Sequence, residues 1–258
     1  MLTAWALLIP FIYPGFETFR NGAIALFYLS DYVMAFGRLY GHLSHTWSLA
    51  VEEHFYMVWP LIILATRRLS DQQLFVGFAI FCALATIWRI VDFTLWDSWR
   101  VTYYRFDTRM AGLSLGATIA VLPLRWDTKI FEKLVILALL IMIYCAFSMK
   151  WGSTYAMSLG MSVTHAVTGF IVLGVRTQSA LICRLLSARP LVYIGLLSYS
   201  IYLWHFPITR VLLQHVSEWA TFAIVLPISI CLAALSFTFV ETPIRKFRRT
   251  RRNAVLAD

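Results

Sequence analysis

The chain has 258 residues, of which 60% are hydrophobic and 14% are charged, and its mean hydropathy is +0.73. Soluble domains carry about 25% charged residues, so this composition excludes a soluble enzyme or a soluble second domain and predicts one membrane domain over residues 1–258. The net charge of +9 would suggest nucleic acid for a soluble protein, but the charges lie between apolar segments, and we expect no nucleic-acid partner.

Apolar segments follow one another along the whole chain, and a membrane-spanning helix needs about 20 residues to cross about 30 Å of hydrocarbon. The segments are 1–13, 23–36, 47–64, 74–96, 110–124, 134–147, 155–175, 191–213 and 219–240. They predict an all-α, polytopic transmembrane helical bundle of about nine spans. The four cysteines stand singly in apolar segments, without the spacing of a metal or redox site, and we expect no metal ligands.

Basic residues predict the orientation of the bundle, because Lys and Arg collect on the cytoplasmic side. If the third segment ends inside, fifteen of the 22 Lys and Arg residues fall on that side. We therefore expect a cytoplasmic C-terminus in a bacterial inner membrane.

The third segment begins with the most polar stretch of any span, His45-Thr-Trp-Ser-Leu-Ala-Val-Glu52-Glu53-His-Phe-Tyr56. Ionisable groups in hydrocarbon cost a few kcal/mol each unless they are paired. On a helix, His45, Ser48, Glu52 and Tyr56 share one face, and Glu53 lies about 100° away. Glu52 is therefore predicted to line a polar cavity; alternatively, the Glu pair only forms an ion pair with a neighbouring helix.

This stretch resembles the signature W-S-L-x-x-E-E-x-F-Y-x-x-W-P of acyltransferase family 3, through Trp47, Ser48, Glu52, Glu53 and Tyr56 among others. Members of that family are integral-membrane enzymes that O-acylate sugars, O-antigens, peptidoglycan and macrolides. The resemblance implies an acyltransferase with an acyl-CoA, such as acetyl-CoA, as co-substrate and no bound cofactor.

Arg109 begins a second element of resemblance. Residues 108–117 are similar to the family's T-R-x-D-x-L-x-x-G-A, with Ala111 or Gly112 where the family commonly has Asp. Arg109 is expected near Glu52, although an interfacial anchor for the helix end is an equal alternative. In the fourth apolar segment, 74–96, Arg89 and Asp92 are three residues apart and are predicted to neutralise each other.

The eighth segment carries a third element, in which residues 195–207 resemble G-x-x-S-Y-x-x-Y-L-x-H-x-P. Ser198, Tyr202 and His205 are predicted to share a polar face, and Tyr199 stands in the same motif. His205 has two equal interpretations, a catalytic group or a histidine that bonds a neighbouring hydroxyl. His165, in the seventh segment, is interpreted as structural, and Glu241 as a helix stop with an ion pair.

The resemblance lacks the family's first two helices, one of which carries an Arg and the His implied to be the general base. The chain is therefore expected to be an N-terminally truncated copy and to be inactive on its own. The catalytic residues predicted within the chain are Glu52, Glu53, His205 and Arg109. The predicted substrate-binding residues are His45, Trp47, Ser48, Tyr56, Ser198, Tyr199 and Tyr202.

The favoured function is O-acyl transfer, with acetyl as the expected acyl group, to a carbohydrate hydroxyl of a cell-envelope or secreted glycan. The partners expected are the glycan or other hydroxyl acceptor, acyl-CoA and the lipid bilayer. The alternative is a non-catalytic helical membrane protein or a proton-linked transporter that uses the same buried carboxylates.

Overall fold

A computed structural model describes residues 16–37, 41, 43–122, 128–150, 152–177 and 180–247. Every regular segment within these residues is helical. The helices are α1 (Phe16–Leu26), α2 (Ser30–Phe36), α3 (Trp47–Thr66), α4 (Asp71–Trp96), α5 (Trp99–Tyr104), α6 (Phe106–Val121), α7 (Thr128–Ser148), α8 (Met161–Arg176), α9 (Ala180–Leu186), α10 (Arg189–Leu212) and α11 (Glu218–Ser236). A 3₁₀ turn, Ser44–Thr46, precedes α3, and π-helical turns occupy Ala156–Gly160 and Phe237–Glu241.

The expectation of an all-α membrane protein is confirmed, because five helical segments among the described residues are long and apolar enough to cross a membrane. These segments are Ser44–Thr66, Asp71–Trp96, Ala156–Arg176, Arg189–Leu212 and Glu218–Phe247. The expected count of nine spans is not confirmed: segment 1–13 lies outside the described residues, and segment 23–36 is divided between α1 and α2. Tyr28 makes that break, because its φ of 54° is left-handed and cannot continue a helix.

Local sequence explains the sharp turn between α3 and α4. Ser70 caps α4: the Gln73 amide donates to the Ser70 hydroxyl over 3.3 Å, and the Ser70 amide donates to the Gln73 side chain over 2.9 Å. This reciprocal pair satisfies two of the amides that a helix start leaves free. The chain therefore reverses within residues 67–70, which are exposed.

The chain divides into two compact units. Among the described residues, those within 24–40 and 46–186 form the larger unit, and those within 1–23, 41–45 and 187–258 form the smaller. In the larger unit α4 packs along α6, and α8 packs against both α6 and α7. One core cluster joins Met34, Ala35 and Tyr104, and another joins Phe93, Met157 and Met161. In the smaller unit α10 packs against α11.

The hairpin of α10 and α11 is held by polar bonds as well as by apolar contacts. The indole of Trp204 donates to the Ser236 hydroxyl over 3.0 Å. The Ser200 hydroxyl donates to the carboxylate of Glu241, which also lies 3.2 Å from the Arg245 guanidinium. The structure thus gives Glu241 the ion pair that the sequence predicts.

Candidate functional site

Helix α3 carries five of the eleven catalytic and substrate-binding residues that the sequence predicts. It begins at Trp47, so His45 lies in the 3₁₀ turn before the helix instead of on its polar face. Glu52 stands about 8 Å along the axis from the helix start. Its side chain is exposed, as is that of Tyr56 at 58%, so among the described residues these two groups share an open face of α3.

The two neighbouring carboxylates have different surroundings. Glu53 is half-buried and forms a side-chain hydrogen bond with Tyr28, in the turn between α1 and α2. Burial, together with the charge and hydrogen bond of Glu53, raises the pKa of Tyr28. Glu52 has no hydrogen-bond or ion-pair partner among the described residues. The partner of Glu53 is therefore a phenol and not the charged group on a neighbouring helix that the ion-pair alternative predicts.

A histidine and an aspartate that the sequence analysis did not select lie next to this pair. His54 Nδ1 is 3.3 Å from Asp31 Oδ2, and Asp31 on α2 is 0% exposed. Burial raises the pKa of the Asp31 carboxyl above its ordinary 3.8, against smaller lowering effects of the Tyr32 amide and of His54. The signal available in the sequence was an aspartate inside an apolar segment and a histidine inside the Glu52 motif.

The raised pKa of Asp31 predicts a pH-dependent stability that the Asp31→Asn variant should lose. Because the folded state keeps a proton that the unfolded state releases, the free energy of unfolding falls as pH rises from about 3.8 through the raised pKa. Unfolding of the detergent-solubilised protein across this pH range measures the slope. Asp71→Asn, at an exposed site, is the control and should keep the wild-type slope; an unchanged slope in Asp31→Asn would contradict the prediction.

Arg109 is held by aromatic rings at the start of α6. The centre of its guanidinium lies 4.6 Å from the ring centroid of Tyr103 and 5.3 Å from that of Trp47. Such stacking stabilises a cation, and the guanidinium also forms a hydrogen bond with the Tyr103 side chain. Within the described part of the chain Arg109 makes no ion pair with Glu52, so their predicted proximity stays a prediction.

Asp92 and Arg105 form a buried ion pair in the larger unit. Asp92 accepts a hydrogen bond of 2.7 Å from Arg105 Nη1 and one of 2.8 Å from the Thr102 hydroxyl. Arg105 also bonds both oxygens of Asp107, which accepts from the Trp88 indole as well. Burial alone would lower the pKa of Arg105. The charges and hydrogen bonds of Asp107 and Asp92 raise it by more, so the pKa of Arg105 lies above its ordinary value.

The predicted pair of Arg89 with Asp92 is therefore wrong. Arg89 instead donates to the carbonyl oxygens of Met157 and Ser158 and to the Ser162 hydroxyl. Both carbonyls belong to the π turn Ala156–Gly160, so the guanidinium of Arg89 joins α4 to this turn. Spacing along one helix could not reveal this, because the acceptors lie about 70 residues away in sequence.

In the smaller unit His205 stands in an aromatic group with His45 and Tyr202. The Tyr202 hydroxyl donates to the His45 carbonyl, and the His45 ring lies 5.2 Å from Tyr202 and 6.0 Å from His205. His205 Nδ1 is 3.2 Å from the Ile201 carbonyl; if Nδ1 carries the proton, Nε2 is the basic nitrogen. Ser198 and Tyr199 are exposed on the same helix.

Two larger apolar cavities lie among the described residues, one beside α3 and one beside His205. One of about 280 Å³ lies between α3 and α4 and is lined by Phe55, Trp59 and Phe78 among others. The second, of about 350 Å³, lies between α10 and α11 beside His205 and Thr209. Among the described residues no group of His, Cys, Asp and Glu side chains has the arrangement of a metal site.

Helices of this length and composition, with carboxylates and histidines inside them, define a polytopic helical membrane protein. Residues 1–240 match the family model described as "Acyltransferase domain", that of acyltransferase family 3. The chain belongs to this family.

Among curated proteins, the chain is 32% identical over 256 residues to the O-acetyltransferase OatA of Staphylococcus aureus, covering 88% of this chain and 41% of OatA. It is 29% identical over 256 residues to "Putative peptidoglycan O-acetyltransferase YrhL" of Bacillus subtilis, covering 89% of this chain and 40% of that protein. The chain thus spans about two fifths of the length of these relatives. No solved structure matches it.

Proposed function

We propose that this chain is the membrane part of an O-acetyltransferase that transfers acetyl from a cytoplasmic acyl-CoA to a hydroxyl group of an envelope glycan. The observation that carries the proposal is the similarity to O-acetyltransferases over 88% and 89% of the chain. The name of the Bacillus subtilis relative supports peptidoglycan as the glycan. Acetyl-CoA is the donor we propose, because its thioester supplies an activated acetyl group.

Acetyl transfer needs a base for the acceptor hydroxyl and a donor for the oxyanion that forms on the acetyl carbon. We assign the base to Glu52, whose carboxylate lies in an apolar span without a partner among the described residues. The hydroxyl oxygen bonds the thioester carbon, its proton passes to Glu52, and the CoA thiolate leaves and then takes up the proton. Arg109 is assigned to the oxyanion, because a guanidinium is a cation with five N–H donors and Arg109 stands near the start of α6.

The remaining side chains are proposed to bind and position the substrates. In the larger unit Glu53, held by Tyr28, fixes the turn of α3 that carries Glu52, and Trp47, Ser48 and Tyr56 lie on the same helix. In the smaller unit His205 is proposed as a second proton-transfer group. Its companions in acceptor binding are His45, Ser198, Tyr199 and Tyr202.

The test is acetyl transfer to envelope glycan in cells that express the complete gene product containing this chain. Cells are fed labelled acetate, the glycan is purified, and ester-linked label is counted after release with mild base. Expression should raise the label, whereas the Asp71→Asn control should match the wild type. Label at the level of the empty vector, with the protein present in the membrane, would refute the proposal.

The proposed orientation predicts which loops face the cytoplasm. Arg67 and Arg68 follow α3, and a run of basic residues lies at 245–252 near the C-terminus, so residues 67–70 and the C-terminus should be cytoplasmic in a bacterial inner membrane. The turn at residues 97–98 should face outward. Reporter fusions at the three points check this, and inverted signals would contradict it.

A further inference from the structure

The cavity of about 280 Å³ between α3 and α4 is lined mainly by apolar side chains. The ring of Trp59 lies 4.9 Å from that of Phe55 and 5.4 Å from that of Phe78, centroid to centroid. The hydroxyls of Thr66 and Ser114, which also line the cavity, each donate to a backbone carbonyl of their own helix over 2.7 Å. Because these hydroxyls already have acceptors, the cavity suits a hydrocarbon occupant.

The length of this cavity matches one leaflet of a bilayer. Its lining runs along α3 from Phe55 to Thr66 and along α4 from Gln73 to Phe81. At about 1.5 Å per residue these stretches measure about 16 Å and about 12 Å, and one leaflet contributes about 15 Å to the hydrocarbon core. Since one water molecule takes up about 30 Å³ of liquid, the cavity has room for roughly nine heavy atoms, which is a stretch of one acyl chain.

The cavity has exposed walls on α4, one of the helices that are long and apolar enough to cross a membrane. Gly77 and Phe81 line the cavity, and both are exposed. A Cβ at Gly77 would meet nothing within 4 Å, so the glycine leaves a gap in the wall. A lipid chain can therefore enter sideways from its own leaflet without leaving the hydrocarbon.

Two arginines lie at the end of the cavity where a phospholipid headgroup would stand. Arg67 and Arg68 directly follow Thr66, which lines that end, and both are exposed. Neither forms an ion pair within the described part of the chain. Residues 66–74 hold these two arginines and one carboxylate, Asp71, so the turn keeps a net charge of +1. In the proposed orientation it faces the cytoplasm, where basic residues next to a spanning helix attract anionic lipids.

We propose that this cavity binds one acyl chain of an anionic phospholipid, whose phosphate pairs with Arg67 and Arg68. The apolar lining and its length select the chain, and the arginines select the headgroup, because guanidinium groups bind phosphate through paired N–H donors. A zwitterionic phospholipid brings the same chains without a net charge, and soluble glycerol 3-phosphate brings the charge without a chain. Binding requires no acetyl transfer, so it is measured on the resting protein.

The experiment is native mass spectrometry of the purified full chain in a nonionic detergent, titrated with phosphatidylglycerol or with phosphatidylcholine that carries the same acyl chains. One phosphatidylglycerol molecule should bind with an affinity about tenfold or more above that of phosphatidylcholine. An excess of glycerol 3-phosphate should not displace it. Equal affinities of the two lipids, the absence of a bound lipid, or displacement by glycerol 3-phosphate would overturn the proposal.

Two matched double variants locate the headgroup. Arg67→Gln combined with Arg68→Gln should weaken phosphatidylglycerol binding about tenfold or more and leave phosphatidylcholine binding unchanged. Arg184→Gln combined with Arg189→Gln removes two other exposed arginines, which do not line the cavity, and it should bind phosphatidylglycerol as the wild type does. Equal losses in the two double variants would mean that net charge alone attracts the lipid, and would refute the site.

A matched pair of glycine variants locates the acyl chain. Gly77→Leu puts a branched side chain at the gap in the cavity wall and should weaken the binding of both lipids severalfold. Gly195→Leu adds the same side chain on α10, where a Cβ also meets nothing within 4 Å, and it should bind both lipids as the wild type does. Equal lipid affinities in the two glycine variants would exclude the cavity as the site.

Discussion

The Glu52→Gln variant is expected to lose acetyl transfer by about 100-fold or more while it keeps the wild-type fold. Glutamine has nearly the shape of glutamate but cannot accept the proton of the acceptor hydroxyl, and a general base contributes about 10²- to 10⁴-fold to the rate. Glu52 is exposed and has no partner among the described residues, so its change should break no structural bond. The label on envelope glycan in cells, normalised to the amount of protein in the membrane, measures the loss.

Glu53→Gln is the matched control, one residue further along the same helix. It removes the charge that faces Tyr28 and weakens their hydrogen bond, so it should lower the free energy of unfolding by about 1 kcal/mol and reduce transfer less than tenfold. Wild-type activity in Glu52→Gln would remove Glu52 from the mechanism. Equal losses in the two variants would mean that the pair acts as a unit.

The Asp92→Ala variant is expected to be the most destabilised of the substitutions considered. It leaves Arg105 with the partly exposed Asp107 alone and removes the acceptor of the buried Thr102 hydroxyl. Breaking a buried ion pair on one side costs about 3–5 kcal/mol. Asp92→Asn keeps an oxygen acceptor and should lose less, and the exposed Asp71→Ala should lose less than about 1 kcal/mol.

Denaturant unfolding in detergent micelles, with helicity as the signal, ranks these variants. The order Asp92→Ala, Asp92→Asn, Asp71→Ala is the expected result, from least to most stable. If Asp92→Ala is as stable as Asp71→Ala, the Asp92 pair contributes nothing net, as happens when desolvation of the ions offsets their attraction.

The membrane class and the family could be predicted from the sequence because both depend on local patterns. Long apolar segments predict spanning helices, and the motif from Trp47 to Pro60 is similar to that of the family to which the chain belongs. The number of spans was harder to predict, because composition did not reveal that the backbone at Tyr28 breaks a single apolar segment. The catalytic roles of Glu52, Arg109 and His205 stay predictions.

The contacts that the sequence did not predict join residues that lie far apart along the chain. Arg89 was paired with Asp92 by helical spacing, but Asp92 bonds a residue beyond the end of its own helix, and Arg89 reaches another helix. Likewise, the sequence did not single out Asp31, whose contact with His54 joins two helices. Such pairings depend on tertiary packing, which one sequence without its fold does not specify.

The π turn at Ala156–Gly160 sets the rotational phase of α8. A π turn holds one more residue than an α turn, and one residue corresponds to about 100° of rotation. Ser162 and His165 therefore point in directions that an unbroken α-helix entering from Ser153 would not give them. Inserting or deleting one residue in this turn would rotate α8 by about 100° about its axis. Such a change would alter which neighbours Ser162 and His165 face more than it would alter the length of the chain.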